Sequence, residues 1–188
     1  DYMAANTAVV NNIRNLIESE FEFLFHAVIV HGSVATEEVI PYSDFDGLLI
    51  VKDQWANSVE LERFKKKSMK HILNFDPLQH HGWFQINKSA LSDYPEEYLP
   101  FAVLEHSKLL YPKTNNFKLE IQTKENPNYK LGLIKMVNSL ERKVLNQWQP
   151  KSVYSLKGFL SQIMLLPCLY YSSVHNRGIF KKESFDAV

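Results

Sequence analysis

Apolar residues recur at helical spacing near the start of the chain. Val9, Val10, Ile13, Leu16 and Ile17 are separated by Asn, Arg and Glu, which predicts an amphipathic first helix ending near residues 21–25. The run Ala27-Val28-Ile29-Val30 follows, short and rich in β-branched side chains, and is stopped by His31-Gly32-Ser33. It reads as a buried strand entering a tight turn. Ser33 suits the N-cap of a short helix over 34–39, with Glu37 and Glu38 on it and Pro41 beyond its end. A second strand is expected over 44–51, where two carboxylates precede Leu48-Leu49-Ile50-Val51. Residues 59–73 predict a long helix with Leu61, Phe64, Met69, Ile72 and Leu73 facing inward. After Asp76-Pro77, residues 78–86 read as a third strand with unusually polar and aromatic side chains, and helical material is expected again over 98–110.

Residues 112–129 are rich in Lys, Thr, Asn and Pro, which places a linker there. Beyond it, Leu131, Leu133, Ile134, Val137, Leu140 and Val144, then Leu156, Phe159, Leu160, Ile163 and Met164, describe two amphipathic helices. Two helices cannot close a core alone. They pack on the first lobe, on each other with a third element, or on a second chain, so a homodimer through the helical lobe is one arrangement the pattern allows. The apolar stretch 159–171 is interrupted by Ser161, Gln162 and Pro167 and falls short of the roughly 20 residues a membrane span needs. It reads as a buried helix, and no membrane association is expected. Lys181-Lys182-Glu183-Ser184-Phe185 resembles a helix beginning, so the chain is expected to be incomplete at its C-terminus.

Composition narrows the function classes. The 188 residues are 45% hydrophobic and 22% charged, ordinary for a globular protein. Twenty-one basic residues balance 21 acidic ones, so no strong net field would hold a long nucleic acid by its phosphates. The single cysteine, Cys168, excludes an internal disulfide framework and a cysteine zinc site. With no signal-peptide pattern at Asp1-Tyr2-Met3, a reducing cytoplasm is the expected compartment.

The chemistry concentrates between residues 31 and 51. Residues two apart on a strand face the same way, so Asp44 and Asp46 would set two carboxylates side by side at the edge of a core, where a divalent cation is the natural compensation. An isolated Asp-x-Asp is more often a solvated turn, and an isolated Gly-Ser is more often a turn glycine with an N-cap serine. Here the two occur together. Gly32 allows close backbone approach to a phosphate, and the Ser33 hydroxyl and neighbouring amides offer donors to anionic oxygens.

His31-Gly32-Ser33, ten residues, then Ser43-Asp44-Phe45-Asp46 and Gly47-Leu48-Leu49-Ile50-Val51 resembles the signature of the polymerase-beta-like nucleotidyltransferase superfamily, closely over 27–51 and in element order over the rest of the first lobe. The resemblance implies an α/β (α+β) fold, a nucleotidyltransferase-type mixed β-sheet with flanking helices and a C-terminal helical lobe. The catalytic domain would occupy 1–115, and the linker and helical domain 116–188. It also implies transfer of a nucleoside monophosphate from a nucleoside triphosphate, ATP in the first instance. Asp44 and Asp46 would act as catalytic metal ligands for Mg2+ or Mn2+, and Gly32 and Ser33 would bind the nucleotide. The near-neutral chain favours a hydroxyl on a small molecule or a protein as acceptor over a long nucleic acid.

Two departures accompany the resemblance. Val34-Ala35-Thr36-Glu37 stands where many members have Arg and Gly, and 78–86 carries Gln79, His80, His81, Trp83 and Gln85 but no third acid. Asp76 precedes Pro77, outside the expected strand, and the catalytic role is not carried over to it. His81 can accept a proton or ligate a metal, although a strand histidine is more often structural. Lys65-Lys66-Lys67 reads as a solvated face, and Phe45, Trp83 and Phe84 as core. Lys181 or Lys182 would reach the triphosphate only if the helical lobe supplies a basic residue, as it often does in the superfamily. The missing acid leaves a competing class open, a non-catalytic nucleotide-binding or regulatory module of the same fold.

Overall fold

The computed structural model describes residues 2–96, 98–123 and 127–188. The chain divides into two compact units, bounded by Asp1–Tyr94 with His106–Gln122 and by Pro95–Glu105 with Thr123–Val188.

The first unit opens with α1 (Ala8–Leu16), capped by Thr7, whose hydroxyl accepts from the Val10 amide at 3.4 Å. Ile13, Ile17 and Phe21 follow one another at four-residue spacing and are all fully buried. The chain widens to a π turn over Ile17–Phe21 and tightens over Glu22–Leu24 before entering strand β1 (Phe25–His31). Then come the short helix α2 (Gly32–Thr36), strand β2 (Asp46–Val51), the long helix α3 (Val59–Phe75) and strand β3 (Phe84–Asn87). Strand β4 (Lys108–Tyr111) completes the set.

The sheet order is β3-β2-β1-β4, with β1 antiparallel to both β2 and β4 and β2 parallel to β3. A parallel pair needs a crossover, which α3 supplies. The register sorts side chains cleanly. Val28 pairs with Leu49, and these two with Val30, Val51, Phe45, Leu61 and Phe64 belong to the main core. Ile29 pairs with Leu48 and His31 with Asp46, so this second set shares the opposite sheet face with Phe84, the partner of Leu48. Gly47 is needed because the Trp83 ring lies across it. A Cβ there would come within 2.2 Å of that ring.

Several local expectations are corrected. Asp44 precedes β2 rather than starting it. α2 begins two residues early, with His31 at the N-cap and no side-chain cap bond, so Ser33 lies inside the helix; the helix then stops at Glu37, which has φ 60°. Residues 78–83 are irregular, and only Phe84–Asn87 forms the third strand. Leu73 faces outward, 43% exposed, while Ser68 takes an inward position on α3. Residues 98–110 hold a four-residue helix, α4 (Phe101–Leu104), and then β4, because Leu109 and Leu110 complete the sheet beside β1.

The second unit holds α4 together with α5 (Tyr129–Leu145), α6 (Val153–Met164), α7 (Leu166–His175) and α8 (Lys181–Ala187). α7 packs against α5, α6 and α8. Glu96 is buried here, accepting from the Phe101 amide at 3.0 Å and the Tyr129 hydroxyl at 3.1 Å. The expected buried helix over 159–171 is instead two helices. Pro167 sits in the first turn of α7, where its missing N–H costs no hydrogen bond. No residue of α6 is buried. No helix of the described residues is long and apolar enough to cross a membrane.

Candidate functional site

The site forms where β1 ends and β2 begins. His31 closes β1 in an extended conformation and Gly32 turns the chain at φ 62°, a conformation a Cβ disfavours. The reason for glycine is spatial as well. A Cβ on Gly32 would come within 2.4 Å of Asp46 Oδ2, so the bare backbone of Gly32 lies directly against that carboxylate.

Phe45 sets the direction of the two acids. It is buried on the core face with its ring 5.4 Å from that of Trp83. Gln79 fixes its backbone from both sides: the Phe45 amide donates to Gln79 Oε1 at 2.9 Å, and Gln79 Nε2 donates to the Phe45 carbonyl at 3.1 Å. The same Nε2 donates to the His81 carbonyl at 3.0 Å. One buried amide thus ties the Asp44–Asp46 segment to the His80-His81 segment. With Phe45 turned into the core, its two neighbours turn out of it.

Each carboxylate then meets an imidazole. His80 Nδ1 lies 3.1 Å from Asp44 Oδ1, and His81 Nε2 lies 3.0 Å from Asp46 Oδ1. The two rings stand edge to face, 5.0 Å between centroids. Asp44, His80 and His81 each offer a ligand atom, and these atoms all lie within 4.8 Å of one another. The side chains of the Asp44–His80 pair are 18% exposed each, and those of His81 and Asp46 are 27% and 25% exposed, so all four keep some access to solvent.

Burial is the largest influence on Asp46 and raises its pKa, but the hydrogen bond from His81 together with the charges of His31 and His81 holds the carboxyl below the ordinary range. At His81 burial opposes the charged ring, and the bonds to Asp46 and to the Gly82 carbonyl, with the charges of Asp46 and Asp44, together overcome it, so the imidazole pKa is raised. His31, across the sheet from Asp46, is pushed the other way by burial. Among the described residues its buried Nε2 has no hydrogen-bond partner.

Gly32, Asp44 and Asp46 therefore meet at one strand-end region, with Ser33 next along the chain and half-buried. Asp76 is buried at the end of α3, where its carboxylate accepts from the Leu78 amide at 3.0 Å, a turn-closing role. Lys181 and Lys182 open α8 in the second unit. The sequence reading passed over His80 and Gln79. The His80-His81 doublet, following an acid-bearing strand where an acid was missing, was the available signal; nothing in the sequence announced the Gln79 clamp. In comparisons with known proteins, the chain matches no family model and no curated protein sequence.

Proposed function

We propose that the first unit binds a nucleoside triphosphate, ATP in the first instance, with a divalent cation and transfers its nucleoside monophosphate to a hydroxyl of a small-molecule or protein acceptor. The observation that carries this reading is the contact between Gly32 and Asp46: a bare backbone at positive φ lies against a carboxylate on which the charge of Asp44 also acts. Such an arrangement lets anionic oxygens come close to the chain beside a cation that neutralises them.

The donor set suits a cation. Asp44, His80 and His81 converge, Asp46 lies against His81, and a buried ring nitrogen of His31 on the same sheet face has no hydrogen-bond partner among the described residues. Asp44 and Asp46 would hold the ion, which when bound would neutralise phosphate oxygens and acidify an acceptor hydroxyl. Gly32 would admit the phosphate oxygens, and the Ser33 hydroxyl and amide would donate to them. Gln79 would keep the two acids in register, because it holds Phe45 between them at both backbone atoms. In the reaction the acceptor oxygen bonds to the alpha-phosphorus as the bond to the departing pyrophosphate breaks, and the acceptor proton passes to solvent.

A nucleotide-binding module without transfer is the competing reading. It is favoured by β3, whose residues Phe84, Gln85, Ile86 and Asn87 include no carboxylate. Incubation with labelled ATP, Mg2+ or Mn2+ and candidate hydroxyl acceptors separates the two through pyrophosphate release. The enzyme reading expects release that Asp44→Asn with Asp46→Asn lowers at least about a thousandfold. Binding of an ATP analogue without release, across an acceptor panel, favours the module. No metal-dependent analogue binding at all sinks both.

A further inference from the structure

His81 Nδ1 lies 2.9 Å from the Gly82 carbonyl, an acceptor only, so this nitrogen carries the hydrogen. The bond orients the ring and directs Nε2 at Asp46 Oδ1. A histidine that ligates a metal through one nitrogen commonly has its other ring N–H held by a carbonyl, as Nδ1 is here, and a metal at Nε2 would take the place of the proton now shared with Asp46. The spacing is suitable too. Two ligand atoms bound at about 2.1 Å and at right angles lie about 3.0 Å apart. That is the separation of His81 Nε2 from Asp46 Oδ1, and His80 Nδ1 stands 3.1 Å from Asp44 Oδ1.

We infer that His80 and His81 are metal ligands and make this a mixed nitrogen and oxygen site, selective for a divalent transition ion such as Mn2+, Co2+ or Zn2+ over Mg2+. This rests on the reading of Asp44 and Asp46 as the acids that hold an ion, and it changes which ion they hold. Mg2+ keeps oxygen ligands and a near-ideal octahedron, whereas imidazole nitrogen favours the later first-row ions. Each imidazole that replaces an oxygen ligand moves the preference away from Mg2+. Asp44, His80 and His81 supply one oxygen and two nitrogens within 4.8 Å of one another, and Asp46 joins them through its contact with His81. The nitrogen donors occupy the segment just before β3, where the sequence lacks an acid, so the same feature that counts against a three-carboxylate magnesium site counts for this one.

Calorimetric titration of the metal-free full chain with Mn2+, Co2+, Zn2+ and Mg2+, each without nucleotide, tests the inference. The expected result is one ion per chain, with each transition ion bound at least about tenfold more tightly than Mg2+. His80→Ala and His81→Ala should each weaken Zn2+ at least about tenfold, while His71→Ala on α3 leaves it unchanged. Should either variant unfold, the native chain still decides. Zn2+ should shift the imidazole nitrogen resonances of His80 and His81 and spare those of His71, and Co2+ should give visible d–d absorption. Equal affinity for Mg2+ and Zn2+, or Zn2+ binding that leaves both histidines unperturbed, overturns the inference. A parallel arm adds a nonhydrolysable ATP analogue with Mg2+. Analogue binding without any transition-ion preference overturns this inference and leaves the nucleotidyl reading standing. Transition-ion selectivity without analogue binding supports the inference and counts against that reading.

Discussion

The strand-end region of the first unit and the helices of the second dispose of polar and apolar groups in opposite ways. Around β1 and β2, Gln79, His31 and Asp76 are buried among apolar neighbours, and Asp44, Asp46, His80 and His81 are drawn into pairs. In α5 and α6 large apolar side chains stay in solvent: Ile134 at 54%, Val144 at 71%, Leu145 at 73% and Val153 at 65% exposed. A polar side chain is held in a costly interior only where its partners fix it, so the first region is over-determined and the second loosely constrained. Local stability should differ accordingly. Since the units need not unfold together, each change below is best read by amide exchange in β1 and in α5 as well as by urea unfolding.

The largest contrast is in packing. Phe64 is fully buried, with ring contacts to Phe21 at 5.6 Å and Phe25 at 4.7 Å, whereas Leu160 on α6 is 48% exposed. Phe64→Ala should cost about 3–5 kcal/mol, and Leu160→Ala no more than about 0.5 kcal/mol. A loss above 2 kcal/mol for Leu160→Ala would show that α6 is packed in solution and would remove the contrast.

Next comes a pair of glutamines. Gln79→Leu removes three hydrogen bonds and leaves both backbone polar groups of Phe45 without their partner, which should cost about 3 kcal/mol. It should also weaken metal binding, because the acids lose their register with His80 and His81. Gln162 on α6 accepts from the Lys143 ammonium in a partly solvated setting, and Gln162→Leu should change stability by about 0.5 kcal/mol or less. Equal costs for the two would mean the clamp at Phe45 is not specific.

Glycine gives opposite signs in the two regions. Gly32→Ala meets both a positive φ and the Asp46 carboxylate, so a loss of about 2–3 kcal/mol is expected together with a shift in metal affinity. Gly132 lies inside α5, and a Cβ there would meet only Leu169 Cδ2 at an ordinary 3.4 Å. Gly132→Ala should stabilise by about 0.5–1 kcal/mol. A stabilising Gly32→Ala would detach Gly32 from the site altogether.

What could be read from the sequence divides along the same line. Periodicity located α1, β1, α3, α5 and α6, since each buries or was expected to bury one face and the 3.6- and 2-residue repeats record that directly. It misjudged 98–110, because the alternation that marks β4 spans only four residues and borrows its partner from β1, far away in sequence. It misjudged 159–171 as well, since hydropathy alone does not say whether an apolar helix finds a neighbour. At the site, Gly32, Asp44 and Asp46 were legible from spacing. His80 and Gln79 were not, because their roles come from a loop fold that brings residues 79–81 against 44–46, over 30 positions apart.

The smallest effect is a pH dependence confined to the first unit. His26 on β1 lies 5.8 Å from the Phe117 ring, and burial lowers its pKa, with the charges of Lys88 and Lys52 adding to the shift. In the unfolded chain the imidazole returns to an ordinary value of about 6.5 and binds the proton more readily. Unfolding therefore takes up protons through this group, and its contribution to stability falls as pH drops through that range. As pH drops from about 7.5 to about 5.5 the urea midpoint of the native chain should fall relative to that of His26→Gln, a difference that separates this group from His31, whose pKa is also lowered, and His81, whose pKa is raised. Raising the salt should remove only the share that the lysine charges contribute, since screening acts on exposed charges and leaves desolvation intact. A slope identical in the native chain and His26→Gln would assign the pH dependence to other groups. A slope abolished by salt would mean that the lysines, and not the buried setting of β1, control this histidine.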